Sequence, residues 1–279
     1  MERILVTGAT GLFAPFAVEA AGTISDVVTT SRSGGDFLCD LSDYGQVKTL
    51  MTETQPSVVI HGAAMTDVDA CQNDPAAATR ANEQATRNIA NCLADDAQLV
   101  YLSTDQVYPD APGLHVEGSG APVNAYGGSK LAGEAPVLEH KGGIIARTSF
   151  FGRSRTPGRK SLSDFVADNL AAEKPINLFT DILFSPLHAT TLASVLVEMV
   201  RYRLSGVFNV ASRSGMSKAD FGLGLAQHLG LQSVTATLST SAVIPGRAPR
   251  PSDLRMNPAK LETALGRPMP TLAEEIAKL

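Results

Sequence analysis

The sequence has few of the features expected of nucleic-acid-binding, membrane or metal proteins. It contains no tryptophan and only three cysteines, Cys39, Cys71 and Cys92. Their odd number and lack of metal-like spacing predict reduced thiols and no metal site, and the five histidines form no ligand pattern either. The net charge is −5 and no run of Lys or Arg occurs, which argues against nucleic acid or an anionic membrane as a partner.

Long apolar segments are also missing. No stretch reaches the length of a transmembrane span, and Met1 leads straight into a strand pattern, so we expect a cytoplasmic protein with no signal peptide and no membrane contact. What the chain does have is an apolar content of 44% against 18% charged residues. Over 279 residues this is enough to bury a large core.

A glycine-rich turn follows the first strand pattern. The apolar run 3–7 leads into Gly8-Ala-Thr-Gly11-Leu-Phe-Ala14, and an Ala-rich helix pattern comes next. Glycines allow a tight turn and let the backbone approach a pyrophosphate, which then rests on the positive end of the helix. The order strand, turn, helix therefore predicts a dinucleotide site, with an ordinary tight turn as the alternative.

Strand and helix patterns alternate along the first half of the chain. The predicted helices are long enough to connect parallel strands, which predicts an α/β fold with a doubly wound parallel sheet of the Rossmann type. Beyond Arg147 the regular alternation of strand and helix patterns ends. We predict a dinucleotide-binding Rossmann domain at 1–147 and a smaller C-terminal α/β substrate-binding region at 148–279, some segments of which return to the main sheet. The strands are expected at 3–7, 26–30, 37–39, 57–61, 98–103 and 143–146, and the helices between them at 12–21, 43–52, 76–94 and 124–138.

Two polar motifs in the middle of the chain suggest acid–base chemistry. Thr104 ends an apolar strand pattern, and Tyr126 precedes Lys130 by four positions, which places both side chains on one helix face. An ammonium beside a phenol would lower the pKa of Tyr126. The Thr104 hydroxyl could then bind a carbonyl oxygen while Tyr126 protonates it. A solvated helix face would give the same spacing, but the dinucleotide turn upstream favours a carbonyl–alcohol conversion.

The end of the second strand pattern predicts the choice of dinucleotide. NAD-selective sites place an acid there, whereas an Arg accommodates the 2′-phosphate of NADP. Here Ser31 and Arg32 occupy this position, and no acid occurs before Asp36. A guanidinium matches phosphate oxygens well. We therefore predict that Ser31 and Arg32 bind the cofactor and that NADPH is preferred, with NADH as the second choice.

Taken in order, these motifs resemble those of the extended short-chain dehydrogenases/reductases, and among them the dTDP-4-dehydrorhamnose reductases. The segment 61–69 is similar to the family's Ala-Ala-x-Thr-x-Val-Asp segment, and 103–108 to its Ser-Thr-Asp-Tyr-Val-Phe run. The segment 126–134 is similar to its Tyr-Gly-x-x-Lys-x-x-Gly-Glu helix. The resemblance implies an enzyme, an NAD(P)H-dependent oxidoreductase that reduces the C4 ketone of a nucleotide-activated deoxysugar.

The resemblance also implies roles for individual residues. Thr104 would polarise the ketone, Tyr126 would protonate the alkoxide, and Lys130 would hold the nicotinamide ribose. Tyr126 and Lys130 would thus also contact the cofactor. The other residues expected to border the cofactor are Gly8, Thr10, Gly11, Leu12, Asp40, Leu41, Ala63 and Ala64. The residues assigned to the substrate are Asp105, Gln106, Phe150 and Arg250.

Several substrate-side segments depart from the family pattern. Gln106 replaces a Tyr, Phe150 stands in an aromatic stretch that usually includes Trp, and 182–187 loses the family's Gln, Gly and Thr. The substrate therefore stays open between this sugar, another 4-keto sugar and a smaller carbonyl compound. Assembly of the chain into a homodimer also stays open. The alternatives to a reductase are a nucleotide-sugar epimerase or dehydratase and a non-catalytic NADP-binding regulatory subunit. We interpret the Arg- and Lys-rich loop 152–161 as solvated, and Arg250 lies in the Pro- and Arg-rich stretch 245–251.

Overall fold

The chain is described by a computed structural model at residues 3–231, 236–241 and 246–279, so Met1 and Pro245 lie outside the described residues. The helices cover α1 (Ala14–Ala21), α2 (Tyr44–Thr54), α3 (Val68–Asn73), α4 (Pro75–Thr79), α5 (Ala85–Cys92), α6 (Ala125–Glu139), α7 (Leu162–Ala171), α8 (Ala189–Arg201), α9 (Lys218–His228), α10 (Ala259–Leu265) and α11 (Leu272–Ile276). The strands cover β1 (Arg3–Thr7), β2 (Asp26–Ser31), β3 (Phe37–Leu38), β4 (Val58–His61), β5 (Gln98–Thr104), β6 (Gly143–Thr148), β7 (Phe150–Phe151), β8 (Ile176–Phe179), β9 (Leu183–Phe184), β10 (Leu187–His188), β11 (Gly206–Asn209), β12 (Met216–Ser217), β13 (Ala236–Ser239) and β14 (Asp253–Leu254).

The centre of the molecule is a seven-stranded sheet in the order β11-β6-β5-β4-β1-β2-β3. Every pairing in it is parallel. Its middle strands carry continuous apolar runs, as expected where helices cover both faces. One core cluster joins the sheet to α1 and α8, and another joins its opposite face to α2, α5 and α6. The expected doubly wound parallel sheet is confirmed.

The expected single helix over 76–94 is instead two α-helices, α4 and α5, joined by a π-helical turn at Arg80–Gln84. Within this turn Asn82 is buried, accepting from the Met65 N–H at 2.8 Å and donating to the Met65 carbonyl at 3.0 Å. It also donates to the Ser129 hydroxyl at 2.9 Å. Such turns often accompany functional sites. Here the turn fixes the segment after β4 against helix α6.

The later part of the chain contributes both to the main sheet and to a second core. Strand β11 pairs with β6 at the edge of the sheet. Its Asn209 accepts from the Tyr108 hydroxyl at 2.5 Å and donates to the His115 carbonyl at 2.9 Å. A separate apolar cluster packs α7, α9 and α11 around β8. The domain boundary at residue 147 stays a prediction.

The described helices are short compared with the thickness of a membrane. The longest of them, α6, has 15 residues, and none among the described residues is long and apolar enough to cross a bilayer. Within the same part of the chain, no group of three or more His, Cys, Asp or Glu side chains is arranged to hold a metal ion.

Candidate active site at the carboxyl edge of the sheet

The glycine turn after β1 has the geometry of an anion-binding loop. Gly8 has φ of +83°, and a Cβ there would lie 2.9 Å from the Ala63 nitrogen, so only glycine fits without strain. The Gly11 N–H donates to the Gly8 carbonyl at 2.7 Å, which closes the turn. Phe13 is the N-cap of helix α1 and makes no side-chain capping hydrogen bond. Pro15 has no N–H, and the Phe16 N–H donates to the Phe13 carbonyl at 3.1 Å. The N–H groups of Leu12, Phe13 and Ala14 have no backbone partner among the described residues, so they are available to a phosphate and the turn fits a dinucleotide.

The segment after β2 turns its first acid away from the expected ribose position. The Asp36 carboxylate accepts from the Thr29 N–H at 2.9 Å and from its hydroxyl at 2.8 Å. The Ser31 hydroxyl donates to the Gly34 carbonyl at 2.8 Å, while the Arg32 side chain is exposed. Within the described part of the chain Arg32 forms no ion pair, whereas the Asp36 carboxylate is held by its own turn.

Two further cofactor candidates lie next along the edge. The Asp40 carboxylate accepts from the Ser42 N–H at 3.0 Å and from its hydroxyl at 2.8 Å, and so is engaged in a local turn. Leu41 is buried, and its carbonyl accepts from Asn88 at 2.9 Å. Neither side chain contacts the glycine turn in the described contacts, and both assignments to the adenine stay predictions.

The end of β4 contains a buried hydrogen-bonded histidine. His61 Nδ1 lies 2.7 Å from the Thr7 hydroxyl, and Nε2 lies 3.1 Å from the Thr86 hydroxyl. Burial, with a smaller contribution from the charge of Lys130, lowers the pKa of His61 to about 3. The neutral imidazole therefore ties β1, β4 and α5 together. The Thr7 hydroxyl also accepts from the Ala63 N–H at 3.2 Å, which fixes the backbone where Ala63 and Ala64 were expected to border the cofactor.

Thr104 and Tyr126 come together where β5 ends and α6 begins. Asn124 caps α6 by accepting from the Gly127 N–H at 2.8 Å. A Cβ at Gly127 would lie 2.1 Å from the Gln106 carbonyl oxygen, so glycine allows the helix to approach the segment after β5. This contact places the Tyr126 phenol in hydrogen-bonding reach of the Thr104 side chain. Both residues are largely buried, at 9% and 5% exposure.

The pKa of Tyr126 moves in the direction opposite to our expectation. Burial raises the pKa of the phenol above its ordinary value, opposed by the hydrogen bond with Thr104, and the nearby Asp105 charge raises it further. The Lys130 ammonium lies 4.0 Å above the Tyr101 ring. Spacing along the helix predicted that the Lys130 ammonium would dominate and lower the pKa of Tyr126. Desolvation, which raises this pKa, is the larger effect. The phenol is consequently protonated at neutral pH.

Lys130 is buried on the same helix, at 2% exposure. Burial lowers the pKa of its ammonium to about 7, and the charge of Glu134 opposes this. Glu134 itself is engaged by Arg147, through Nε at 2.9 Å and Nη2 at 2.7 Å. It also accepts from the Ser103 hydroxyl at 2.6 Å. The Glu134–Arg147 pair therefore acts as a structural tie between α6 and β6.

The four expected substrate residues occupy separate positions around the cleft. Asp105 accepts from the Thr104 hydroxyl at 3.1 Å, and the Gln106 side-chain carbonyl accepts from Asn124 at 3.1 Å, so these two lie beside the Thr104–Tyr126 pair. The Phe150 ring packs against Phe13, with ring centroids 5.3 Å apart, and so faces the glycine turn.

Arg250 was expected to be free to bind a substrate, but the structure pairs it with an acid. Its guanidinium donates to the Asp69 carboxylate at 2.9 Å and to the Ala248 carbonyl at 2.9 Å. Arg247 lies 3.6 Å from the same carboxylate. Asp69 therefore fastens the stretch 246–251 to α3, and the two arginines share this one carboxylate, which leaves one net positive charge.

Lys218 is a further candidate for the site that the sequence did not indicate. It is the first residue of α9, and its ammonium lies 6.0 Å from the centre of the Phe184 ring. Burial raises the pKa of Asp105 to about 6, and the positive charge of Lys218 is among the groups that oppose this rise. Burial in turn lowers the pKa of Lys218, while Asp105 raises it. The residue follows an ordinary N-cap serine, so no local pattern linked it to Asp105.

Comparison with known proteins follows the whole length of the chain. The family model described as the RmlD substrate binding domain matches residues 1–279. The probable low-salt glycan biosynthesis reductase of Haloferax volcanii is 32% identical, over 98% of this chain and 96% of that protein. The dTDP-4-dehydrorhamnose reductase of Mycolicibacterium smegmatis is 31% identical, over 90% of this chain and 76% of that protein.

Two further similarities extend the range of known relatives. The methionine adenosyltransferase 2 subunit beta of Pongo abelii is 28% identical, over 94% of this chain and 82% of that protein. Among solved structures, a dTDP-4-dehydrorhamnose reductase of Clostridium acetobutylicum superposes with a TM-score of 0.89 at 25% identity, covering 99% of this chain and 97% of that one. The fold of this chain is thus shared with that reductase over nearly the full length of both chains.

Proposed function

This chain belongs to the RmlD substrate binding domain family, and on that premise we propose that it is an NAD(P)H-dependent reductase of the C4 ketone of a nucleotide-activated deoxysugar. The observation that carries this proposal is the buried pair of hydroxyls, Thr104 and Tyr126, at the same edge of the sheet as the glycine turn. Likeness over nearly the whole chain to two proteins named as reductases supports it.

The chain's own groups perform the proton half of the reaction. Bound dinucleotide supplies the hydride. The Thr104 hydroxyl holds the carbonyl oxygen of the sugar, and the Tyr126 phenol donates its proton to that oxygen. Because burial raises the pKa of Tyr126, the proton is in place before the substrate arrives. A positioned general acid of this kind contributes about 10²- to 10⁴-fold to the rate.

Lys130 and the Ser31–Arg32 corner act on the cofactor. Lys130 lies one helical turn after Tyr126 and binds the nicotinamide ribose, which its buried position on the same helix supports. At the other end of the cofactor, Arg32 binds the 2′-phosphate of NADPH, since it is exposed while Asp36 is held by Thr29. NADPH is the preferred cofactor, and NADH is also used.

The sugar nucleotide lies on the other side of Thr104. Asp105, a residue that is 5% exposed, accepts a hydrogen bond from a sugar hydroxyl near the ketone, and the positive charge of Lys218 favours its ionised form. The diphosphate lies toward Arg247 and Arg250, which share the single acid Asp69 and so retain a net positive charge. Gln106 and Phe150 border the sugar from either side.

The proposal is tested by NADPH oxidation, followed by absorbance, with a panel of dTDP-, UDP- and GDP-linked 4-keto-6-deoxyhexoses and, in parallel, with the corresponding hexoses that carry a C4 hydroxyl, which an epimerase or a dehydratase would require. The product is then examined by mass spectrometry. Reduction adds two hydrogens, an epimerase leaves the mass unchanged, and a dehydratase removes water, so one measurement separates the three activities. We expect reduction of at least one ketosugar, and loss of that turnover in Tyr126→Phe.

A regulatory subunit is the second candidate, favoured by the likeness to methionine adenosyltransferase 2 subunit beta. The same experiment decides between the two. Dinucleotide that binds with no turnover of any ketosugar in the panel would contradict the reductase and support the regulatory role. The retained Thr104, Tyr126 and Lys130 favour the reductase, because a regulatory subunit has no use for a buried proton donor beside a dinucleotide turn.

A further inference from the structure

The loop between β7 and α7, residues 152–161, is docked across the start of helix α1. The Thr156 hydroxyl donates to the carbonyl of Gly11, in the glycine turn, at 2.9 Å. This is a contact between the later part of the chain and the turn proposed to bind the dinucleotide. The loop is largely exposed, as we expected for a solvated segment, but it is also attached at a defined point.

A second attachment lies one turn further along α1. The Arg155 guanidinium forms an ion pair with Glu19 and lies 4.4 Å from the centre of the Phe16 ring. Both partners belong to α1, and Phe16 is buried beneath the cation. A guanidinium over an aromatic face adds an attraction that water screens less than it screens a surface ion pair.

The other end of the loop is fixed to α7. Lys160 donates to Asp168 at 2.8 Å, and Arg153 lies 3.6 Å from Asp164 and 3.5 Å from Asp168. Between the two ends, the Ser154 hydroxyl accepts from the Thr156 N–H at 3.2 Å, which turns Thr156 toward Gly11. Three of the loop's four cations are therefore paired with acids on either α1 or α7.

The hydrogen bond to Gly11 has a directional consequence. A trans peptide is planar, so the Gly11 carbonyl and the Leu12 N–H point in opposite directions. When Thr156 holds the carbonyl on one side, it aims the Leu12 N–H to the other side, away from the loop. Leu12 lies just before Phe13, the N-cap of α1, whose side chain makes no capping hydrogen bond. Its N–H is thus one of the donors that a pyrophosphate at this helix end would meet.

We propose that Thr156 and Arg155 are cofactor-positioning residues, which hold the turn Gly8–Phe13 in the conformation that binds the dinucleotide pyrophosphate. The loop does not need to touch the cofactor, since it acts on the far side of the Gly11–Leu12 peptide. This inference rests on the proposed dinucleotide site and adds to it a part of the chain outside the Rossmann half.

The test is dinucleotide affinity in the absence of any sugar, measured by NADPH fluorescence titration on the full chain. In Thr156→Val we expect the Kd for NADPH to rise about threefold to tenfold, the value of one lost hydrogen bond. Thr156→Ser keeps the hydroxyl and should bind as the wild type does. Arg155→Ala should raise the Kd by about threefold or less, because its ion pair is exposed. Lys160→Ala, which alters the same loop at its α7 end, is the matched control and should leave the Kd unchanged.

A second readout needs no ligand. Amide hydrogen exchange at Leu12 and Phe13 should be faster in Thr156→Val than in the wild type or in Thr156→Ser, at equal melting temperature. A wild-type Kd together with unchanged exchange in Thr156→Val would overturn the inference. Failure of the proposed reductase would look different: NADPH would bind, and respond to Thr156→Val, while no ketosugar in the panel was reduced.

Discussion

The proposed cofactor-binding and substrate-binding sides of the site differ in the chemical groups that they offer to a ligand. On the proposed cofactor side, the glycine turn offers backbone N–H donors at a glycine with φ of +83° and at a helix end with no side-chain cap, and the side chains of Lys130 and Arg32 add charge. On the proposed substrate side the groups are charged side chains from distant segments, Asp105, Lys218 and Arg250. The backbone donors of the turn depend on steric fit and do not titrate. A charged site responds to pH, and single substitutions can change it.

The largest effect is expected where the two sides meet, at Tyr126. Tyr126→Phe removes the proton donor and keeps the buried ring, so the rate of ketosugar reduction should fall by about 10²- to 10⁴-fold. Because neither side of the cleft is otherwise altered, the Kd for NADPH should stay near the wild-type value. A variant that retains most of its activity would show that another group supplies the proton.

A single added methyl group should disrupt the glycine turn on the cofactor side. In Gly8→Ala the new Cβ would lie 2.9 Å from the Ala63 nitrogen at a φ of +83°. A non-glycine residue held there costs about 1–3 kcal/mol, so the Kd for NADPH should rise about fivefold to a hundredfold if the turn rearranges to relieve it. Gly266 also has a positive φ, +66°, with nothing within 4 Å of the added Cβ. Gly266→Ala is the control for backbone strain alone, and equal Kd values in the two variants would contradict the steric account.

The charged side should respond to pH through Asp105. Its pKa is raised to about 6 by burial, so the carboxylate that accepts the sugar hydroxyl is lost as the pH falls through 6, and kcat/KM should fall with it. The charge of Lys218 lowers the pKa of Asp105. In Lys218→Met this pKa should therefore rise, and the acid limb of the kcat/KM profile should move to higher pH. At neutral pH we expect a loss of about threefold to tenfold in kcat/KM.

Lys218→Arg retains the positive charge and should restore the position of the acid limb. The Kd for NADPH should be the same in all three proteins, since Lys218 lies on the substrate side. If the acid limb of the pH profile does not move in Lys218→Met, then Lys218 does not influence the pKa of Asp105 and is not part of the site.

The smallest effect is expected at the exposed edge of the cofactor side. Arg32→Ala should raise the KM for NADPH by about tenfold or less and leave the KM for NADH unchanged, because only NADPH carries the 2′-phosphate. Arg201→Ala, at an exposed arginine on α8, is the control for loss of surface charge. Equal efficiency with the two cofactors in the wild type would contradict the assignment of Arg32.

Features encoded in adjacent residues could be predicted from the sequence. The strand, glycine turn and helix at residues 3–21 follow from local apolar patterning and from the conformations that glycine permits. The motifs themselves suggested that Thr104 and Tyr126 act on one carbonyl, but the docking of α6 beside β5 that brings the two side chains together is a long-range feature that no local pattern encodes. The same docking at Gly127 is visible in the sequence only as a glycine after Tyr126.

Features that depend on burial or on distant packing could not be predicted in this way. Helical spacing correctly places Lys130 one turn from Tyr126, but it gives no measure of desolvation, which reverses the expected direction of the Tyr126 pKa. The π-helical turn around Asn82 forms through bonds to Met65 and Ser129, which lie outside the helix pattern. The charge of Lys218 acts on the pKa of Asp105 only because packing in the second core brings α9 near the end of β5.

The edge strand β11 limits how the molecule can be recombined with its relatives. A chimera joined at residue 147 would take the cofactor half from one parent and β11 from the other. The foreign strand would then have to pair with β6 and present an amide to Tyr108, as Asn209 does here. The α9 and 246–251 segments, which we propose to face the substrate, are therefore better exchanged by grafting them alone, with Gly206–Asn209 kept from the recipient.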